Sequence, residues 1–251
     1  MISLKNKNVL VTGGSRGIGK ACVESFLNAG ANVAFTFHSA KEEADKIVNQ
    51  NKDISNVKYY QVNLSDFNEV EKKANEILSD FGRIDVLVNN AGIWKEAAVD
   101  KMTVEEWNET LNINLTSAFL IIKTMVPKMK ENRFGRIINI ASTAGQRGEA
   151  FHSHYASSKG GIISLTKSLA SELGEFNITV NCVAPGWVVT DMTTDSLNNK
   201  EIYSKVLSDI PLRKIGQPEE IAGPVIFLAS DLASHITGEI LNVNGGSVLC
   251  G

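Results

Sequence analysis

Tyr155 and Lys159 stand four residues apart in the segment Tyr155-Ala156-Ser157-Ser158-Lys159, and Ser142 lies thirteen residues upstream. On a helix that spacing is about one turn, so phenol and ammonium share a face, where a cation can lower the pKa of the phenol. An isolated tyrosine keeps its proton to about pH 10 and exchanges it poorly at neutral pH unless its anion is stabilised. A serine hydroxyl beside the pair would hold the oxygen of a carbonyl or an alcohol. Together the three make a proton-transfer site for a hydride reaction. The same spacing also fits an amphipathic helix with a solvated lysine, so it acquires chemical meaning only beside a cofactor site.

The elements that would position these groups are legible in the pattern. Ser142 ends the strand-like run Arg136-Ile137-Ile138-Asn139-Ile140-Ala141. Near the N-terminus the apolar run Asn8-Val9-Leu10-Val11-Thr12 enters Gly13-Gly14-Ser15-Arg16-Gly17-Ile18-Gly19, and a helical pattern follows through Ala21, Val23, Phe26 and Leu27. Glycines let a backbone approach a pyrophosphate closely, and a helix N-terminus offers unpaired N–H groups and partial positive charge. The glycines at 13, 17 and 19 are spaced more widely than in the usual dinucleotide fingerprint and form a variant of it.

Strand-like and helix-like segments alternate without a linker, which predicts one α/β domain over residues 1–251 with a parallel sheet of about seven strands and helices on both faces. The expected strands are Asn8–Thr12, Asn32–Phe37, Val57–Gln61, Val86–Asn89, Arg136–Ala141, Thr179–Ala184 and Glu239–Val243. A long helix is expected from about Thr103 through Glu131, where Val104, Trp107, Leu111, Asn114 and Leu115 recur at helical spacing and place Asn114 near the apolar face.

With 251 residues and 43% hydrophobic content, the chain can bury a substantial core, and there is no repeat or low-complexity tract. A formal net charge of −3 gives no global attraction to nucleic acid or to an anionic membrane. The opening Met1-Ile-Ser-Leu-Lys-Asn-Lys-Asn8 is too short and polar for a signal sequence, and no apolar run approaches spanning length, so a cytoplasmic protein is expected. Cys22, Cys182 and Cys250 are odd in number and lack metal-ligand spacing, which favours reduced thiols. His152 and His154 form a His-x-His pair without further ligands; they are expected to line a substrate pocket or face solvent, and no metal is called for.

Thr12-Gly-Gly-Ser-Arg-Gly-Ile-Gly19, Asn89-Asn-Ala-Gly92, Asn114, Ser142, Tyr155-x-x-x-Lys159 and Pro185-Gly186 occur in the order and spacing of the short-chain dehydrogenase/reductase family, which the chain resembles over essentially its whole length. Within that family it looks most like bacterial 3-oxoacyl-[acyl-carrier-protein] reductases. The resemblance implies a Rossmann-like doubly wound fold and an NAD(P)-dependent carbonyl reductase. Ser142, Tyr155, Lys159 and Asn114 are its catalytic residues, with Asn114 expected to position a water that links Lys159 to solvent. Asn63 and Leu64 are expected at the adenine, and Asn90, Ala91 and Gly92 along the cofactor. Beyond Pro185 and Gly186, the Val188 backbone and Thr190 would meet the carboxamide, with Met192 next. The choice between cofactors follows from charge: the position that carries an acid in NAD-selective folds falls at Phe37, and Arg16 lies inside the glycine turn, with His38 and Ser39 adding polar contacts. NADP(H) is therefore expected.

Substrate selectivity is expected from Glu149, Phe151 and His152 and from a mobile helical lid at about 190–215. An acyl carrier protein is acidic, so basic side chains are expected near the entrance. Of the two docking arginines of the fatty-acid enzyme, one aligns with Arg133 and the other with Phe176, a departure from the pattern. Arg133, Arg136 and Arg147 are read as a basic patch or as solvated surface arginines. The resemblance also implies a homotetramer paired through 103–131 and 154–174 and through 238–246, where Asn244 replaces the usual acid. The alternatives are a dehydrogenase of a small alcohol, sugar or ketone and a nonenzymatic dinucleotide-binding scaffold.

Overall fold

In the central strands nearly every residue is apolar, which suits a sheet covered on both sides. The computed structural model describes residues 2–51 and 56–249. Seven parallel strands, β1 (Asn8–Val11), β2 (Asn32–Phe37), β3 (Val57–Gln61), β4 (Val86–Asn89), β5 (Gly135–Ile140), β6 (Ile178–Pro185) and β7 (Ile240–Val243), form one sheet in the order β3-β2-β1-β4-β5-β6-β7. The expected strands all form, with ends shifted by one residue at β1, β5, β6 and β7.

Alternate residues sort to the two faces. Val9, Val11, Val33, Phe35, Val86 and Val88 pack under α1 (Gly17–Asn28) and α10 (Pro218–Ala229), where Phe26, Ile221 and Val225 are sealed. Leu10, Ala34, Leu87 and Ile137 face the other way, against α3 (Phe67–Phe81), α5 (Ser117–Asn132) and α7 (Ser153–Leu173), through Ile77, Met125, Met129 and Leu173. The strand order reverses direction between β1 and β4, and in such sheets ligands bind outside the carboxyl ends at that point. The glycine turn, Asn90, Ser142 and Gly186 all follow carboxyl ends of strands, so this edge gathers the expected site.

The long helix expected from 103 to 131 is interrupted. The α4 helix (Val104–Leu111) starts with a capping box between Thr103 and Glu106, then gives way to a π-helical turn at Asn112–Thr116 before α5. Val104 and Trp107, placed on the apolar stripe by spacing, are 68% and 36% exposed, so only the stretch near Asn114 is core. Between β6 and β7, α8 (Thr194–Asn198) and α9 (Lys200–Asp209) occupy the segment expected as a lid. Cys22 and Cys182 are free and buried, and Cys250 lies outside the described residues.

Candidate active site

The first side of the site is a backbone cradle. Arg16 caps α1 in extended conformation without a side-chain bond to the helix, leaving the first N–H groups open toward the cleft. Gly13 has φ +64°, and a Cβ there would meet Ala91 Cα at 3.0 Å. At Gly19 a Cβ would fall 2.0 Å from the Gly13 carbonyl oxygen, so no side chain fits this crossing of strand, turn and helix. The Asn90 side chain donates to the carbonyls of Thr12 and Gly13 at 2.9 and 3.1 Å, while the Thr12 hydroxyl accepts from the N–H groups of Asn90 and Ala91. Asn90 is thus a brace between the ends of β1 and β4 as well as part of the cleft wall.

From this cradle runs one cleft of about 770 Å³. It is lined by Gly13, Ser15, Arg16, Gly17, Ile18 and Gly19, by Phe37, His38 and Ser39 beyond β2, and by Asn63 and Leu64 beyond β3. Asn90, Ala91 and Gly92, then Pro185, Gly186, Val188, Thr190 and Met192, line its other reach, and Ser142, Tyr155 and Lys159 stand at that end. An elongated groove, open helix-terminal N–H groups at one end and a glycine turn that admits no Cβ fit a dinucleotide. Thr36 lines the cleft as well, and so do Trp94, Glu109 and Asp191, which no motif in the sequence singles out. Asp191 Oδ2 lies 3.6 Å from Arg16 Nη1, joining the foot of the lid segment to the glycine turn across an exposed pair.

The helix that bears Tyr155 and Lys159 is located by a buried polar chain. Asn89 donates to Asn139 at 2.9 Å, Asn139 to Thr166 at 2.9 Å, and Thr166 to the Ile162 carbonyl at 2.8 Å, linking β4, β5 and α7. A second tie comes from the π turn. Asn114, 2% exposed, accepts from Ile93 N at 2.8 Å and donates to Ile93 O at 2.9 Å and Ser158 Oγ at 3.1 Å. Ser158 Oγ in turn donates to the Tyr155 carbonyl at 2.7 Å. Asn114 stands behind the cleft wall, and its amide fastens the loop after β4 to the catalytic helix.

The electrostatics differ from those expected. Lys159 Nζ is 5.8 Å from the Tyr155 ring centre and donates to the Ile140 carbonyl at 2.8 Å. Burial pushes the Tyr155 phenol up to about 12, and the Ser142 hydroxyl opposes this by hydrogen bonding, with Glu149 adding to the rise. Burial also draws the Lys159 ammonium down to about 8. The expected lowering of the phenol by its lysine is therefore corrected: desolvation outweighs an ammonium directed mainly at a backbone carbonyl. A phenol of this kind holds its proton at neutral pH, and giving it up requires a nearby charge that stabilises the anion.

Three further expectations change. His154 is 0% exposed with both ring nitrogens unpartnered, and His152, 8% exposed, stacks on Trp94 instead of facing solvent. Burial lowers the His154 pKa, and the neighbouring His152 acts in the same direction. Arg136 is 2% exposed, donates to the carbonyls of Gly135 and Asn177 and lies over the Phe134 ring, so it belongs to no surface patch. Arg133 and Phe176 precede β5 and β6, whereas Ser142 and Gly186 follow them. A six-residue strand spans about 20 Å, so within one copy those docking positions and the cleft occupy opposite edges of the sheet. Asn244, in place of the usual acid, donates to the Val248 carbonyl and accepts from Gly246 N. Among the described residues no cluster of three or more His, Cys, Asp or Glu could hold a metal ion, and no helix is long and apolar enough to cross a membrane.

A doubly wound parallel sheet whose crevice carries a nucleotide cradle beside a serine, a tyrosine and a lysine defines a dinucleotide-dependent oxidoreductase. Residues 13–247 match the family described as Enoyl-(Acyl carrier protein) reductase, and the chain belongs to the short-chain dehydrogenase/reductase family. It is 43% identical to the 3-oxoacyl-[acyl-carrier-protein] reductase FabG of Staphylococcus aureus (strain Mu50 / ATCC 700699) over 242 residues, covering 96% of this chain and 97% of that one. The FabG of Aquifex aeolicus (strain VF5) is 43% identical over 250 residues, 98% of each chain. Among solved structures, a provisionally assigned NAD(P)-dependent gluconate 5-dehydrogenase from Beutenbergia cavernae, with NADP bound at low occupancy, superposes with a TM-score of 0.92 at 35% identity, covering 98% of each chain.

Proposed function

We propose that this protein is an NADPH-dependent 3-oxoacyl-[acyl-carrier-protein] reductase of fatty-acid synthesis, reducing a 3-oxo group to a secondary alcohol. The observation that carries the reading is the meeting of Ser142, Tyr155 and Lys159 on the wall of the nucleotide cleft. Full-length likeness to reductases of that name supports the substrate. When bound, NADPH supplies the hydride. Tyr155 delivers its proton to the carbonyl oxygen, and Ser142 donates a hydrogen bond to the same oxygen as negative charge develops there. The Lys159 ammonium has one protein acceptor, the Ile140 carbonyl, and two N–H groups left for the nicotinamide ribose hydroxyls. Once Tyr155 has given up its proton, that charge steadies the phenolate. Asn114 holds this end of the site so that water reaches Lys159 and the proton is replaced.

Preference for NADPH is assigned to Arg16, with His38 and Ser39, around the 2′-phosphate; Phe37 supplies no acid to repel it. The segment 190–215 acts as the lid. A tetramer is supported by the exposed apolar side chains Val104, Trp107 and Phe119 along the α4–α5 face. Assembly also bears on carrier docking: Lys130 Nζ lies 4.7 Å from the Phe176 ring centre, near Arg133, and this basic edge would serve the cleft of another copy. A reducing cytoplasm suits the two buried thiols.

One departure favours a second reading. Phe176 stands where a docking arginine is expected, and the superposed Beutenbergia cavernae structure bears a gluconate dehydrogenase assignment, so a small sugar or ketone is the competing substrate. NADPH oxidation measured with carrier-bound 3-oxoacyl thioester beside a panel of simple ketones and sugar acids decides between them. A higher kcat/KM for the carrier-bound thioester is expected; equal rates on simple ketones would reject the first reading. Gel filtration tests the tetramer, and elution as a monomer at all concentrations would remove it.

A further inference from the structure

The α4 and α7 helices each follow the carboxyl end of a parallel strand, β4 and β5, and pack on one another, so they run in the same direction. Two contacts fix their register. Asn114 Nδ2, in the π turn that ends α4, donates to Ser158 Oγ at 3.1 Å, and a Cβ on Gly161 would fall 2.7 Å from the Leu115 side chain. Thr110 and His154 stand four residues before Asn114 and Ser158, about one turn back along each helix. Residues four apart share a helix face, so the offset that joins Asn114 to Ser158 brings Thr110 opposite His154. Both are 0% exposed, and among the described residues neither the Thr110 hydroxyl nor either ring nitrogen of His154 has a hydrogen-bond partner. The charges that reach the ring agree with this placement: Glu106, one turn before Thr110 on α4, and Lys95 of the loop leading to α4, with His152 beside it.

A hydroxyl and an imidazole sealed from solvent each cost free energy unless they are bonded. Facing orphans on neighbouring helices call for a common partner, and a water molecule enclosed between polar groups is the usual one. We propose that Thr110 and His154 form a second rung between these helices through one enclosed water molecule, and that the rung makes both of them positioning residues for Tyr155. The first rung holds the tyrosine from its C-terminal side, because Ser158 Oγ donates to the Tyr155 carbonyl at 2.7 Å. The second holds it from the N-terminal side, through the residue that precedes it. Since α7 begins at Ser153, Tyr155 lies in its first turn, where helix N–H groups lack intrahelical partners and an outside tie counts most. The proposal rests on Tyr155 as the proton donor and is independent of which carbonyl compound is reduced.

The test uses the full-length protein and the variants Thr110→Val, Thr110→Ser, His154→Phe and the double variant Thr110→Val with His154→Phe. Valine matches threonine in shape and lacks only the hydroxyl, so the sign of its effect is diagnostic. If the hydroxyl is bonded, Thr110→Val should raise the unfolding equilibrium constant in urea by about fivefold, whereas loss of an orphaned hydroxyl leaves stability unchanged or improved. With NADPH and either a 3-oxobutanoyl N-acetylcysteamine thioester or ethyl 3-oxobutanoate at saturation, kcat should fall by about tenfold in each single variant and no further in the double one. NADPH affinity, followed by nucleotide fluorescence, should change by less than about twofold, and Thr110→Ser, which keeps the hydroxyl, should retain the wild-type kcat. Unchanged or increased stability in Thr110→Val overturns the proposal, as do additive losses in the double variant. Lost stability with kcat intact overturns the positioning role and leaves a merely structural one. Should Tyr155→Phe keep its turnover, the proton-donor reading falls, and the urea comparison still decides the rung.

Discussion

Replacement of Lys159 by methionine separates the cost of the buried ammonium from its use. Burial draws the Lys159 pKa from 10.5 to about 8, a gap worth roughly 3 kcal/mol of destabilisation wherever folded and unfolded chains both carry the proton. Below about pH 8 both states hold it, and the penalty is complete. Between about pH 8 and 10.5 the unfolded chain binds more protons than the folded one, so stability from this group rises with pH, and above 10.5 the penalty is gone. Lys159→Met also forfeits the bond to the Ile140 carbonyl, a loss present at every pH. Its stability relative to wild type should therefore be more favourable at pH 7 than at pH 10 by about 2–3 kcal/mol. Urea unfolding of the cofactor-free proteins at one fixed concentration measures it, and titrations of groups remote from Lys159, such as Cys22, cancel in the difference. The same variant should lose reductase activity. A stability difference that does not change with pH would refute the claim that this ammonium is held at a desolvation cost.

Tyr155→Phe removes the proton donor and should lower kcat by about 10²–10⁴ while leaving NADPH affinity, followed by nucleotide fluorescence, nearly unchanged; normal turnover would dismiss the tyrosine as the acid. Gly19→Ala forces a Cβ to 2.0 Å from the Gly13 oxygen, so thermal unfolding and nucleotide titration should both worsen, by about 1–3 kcal/mol; an unchanged cradle would contradict that geometry. Arg16→Ala should reduce the ratio of kcat/KM for NADPH over NADH by about 10- to 100-fold, the worth of a charged hydrogen bond. A ratio that stays put would show Arg16 to be a solvated loop residue paired only with Asp191.

The strands were legible because each is a short, nearly unbroken apolar run, and burial on both faces leaves few other readings of such a segment. Glycine turn, Asn90, Ser142, Tyr155 and Lys159 were legible as types and intervals, since a cradle and a one-turn pair are local facts. What lies between segments was not. The phenol rises instead of falling because Lys159 finds a carbonyl on β5, and nothing within Tyr155–Lys159 specifies that contact. Arg136 reads as a surface arginine until Phe134 and two carbonyls enclose it. Trp94, His152 and Trp187 come from three separate loops, and only the folded chain brings them into one stack. The π turn hides in Asn112-Ile-Asn-Leu-Thr116, an ordinary helical string whose distortion accompanies the bonds between Asn114 and Ile93, twenty-one positions earlier.

That turn gives the region an unusual sensitivity to length. A π segment accommodates one residue more than the α-helix it interrupts, so trimming a single residue from 112–116 would let α4 and α5 merge into a smoother, locally more comfortable rod. Because the segment already absorbs that extra residue, its removal would leave α4 and α5 nearly in phase, while the change from π to α spacing would draw the carboxamide of Asn114 off its partners. Mutational scanning by substitution would pass over this; scanning by deletion would find a change that improves the helix and silences the enzyme.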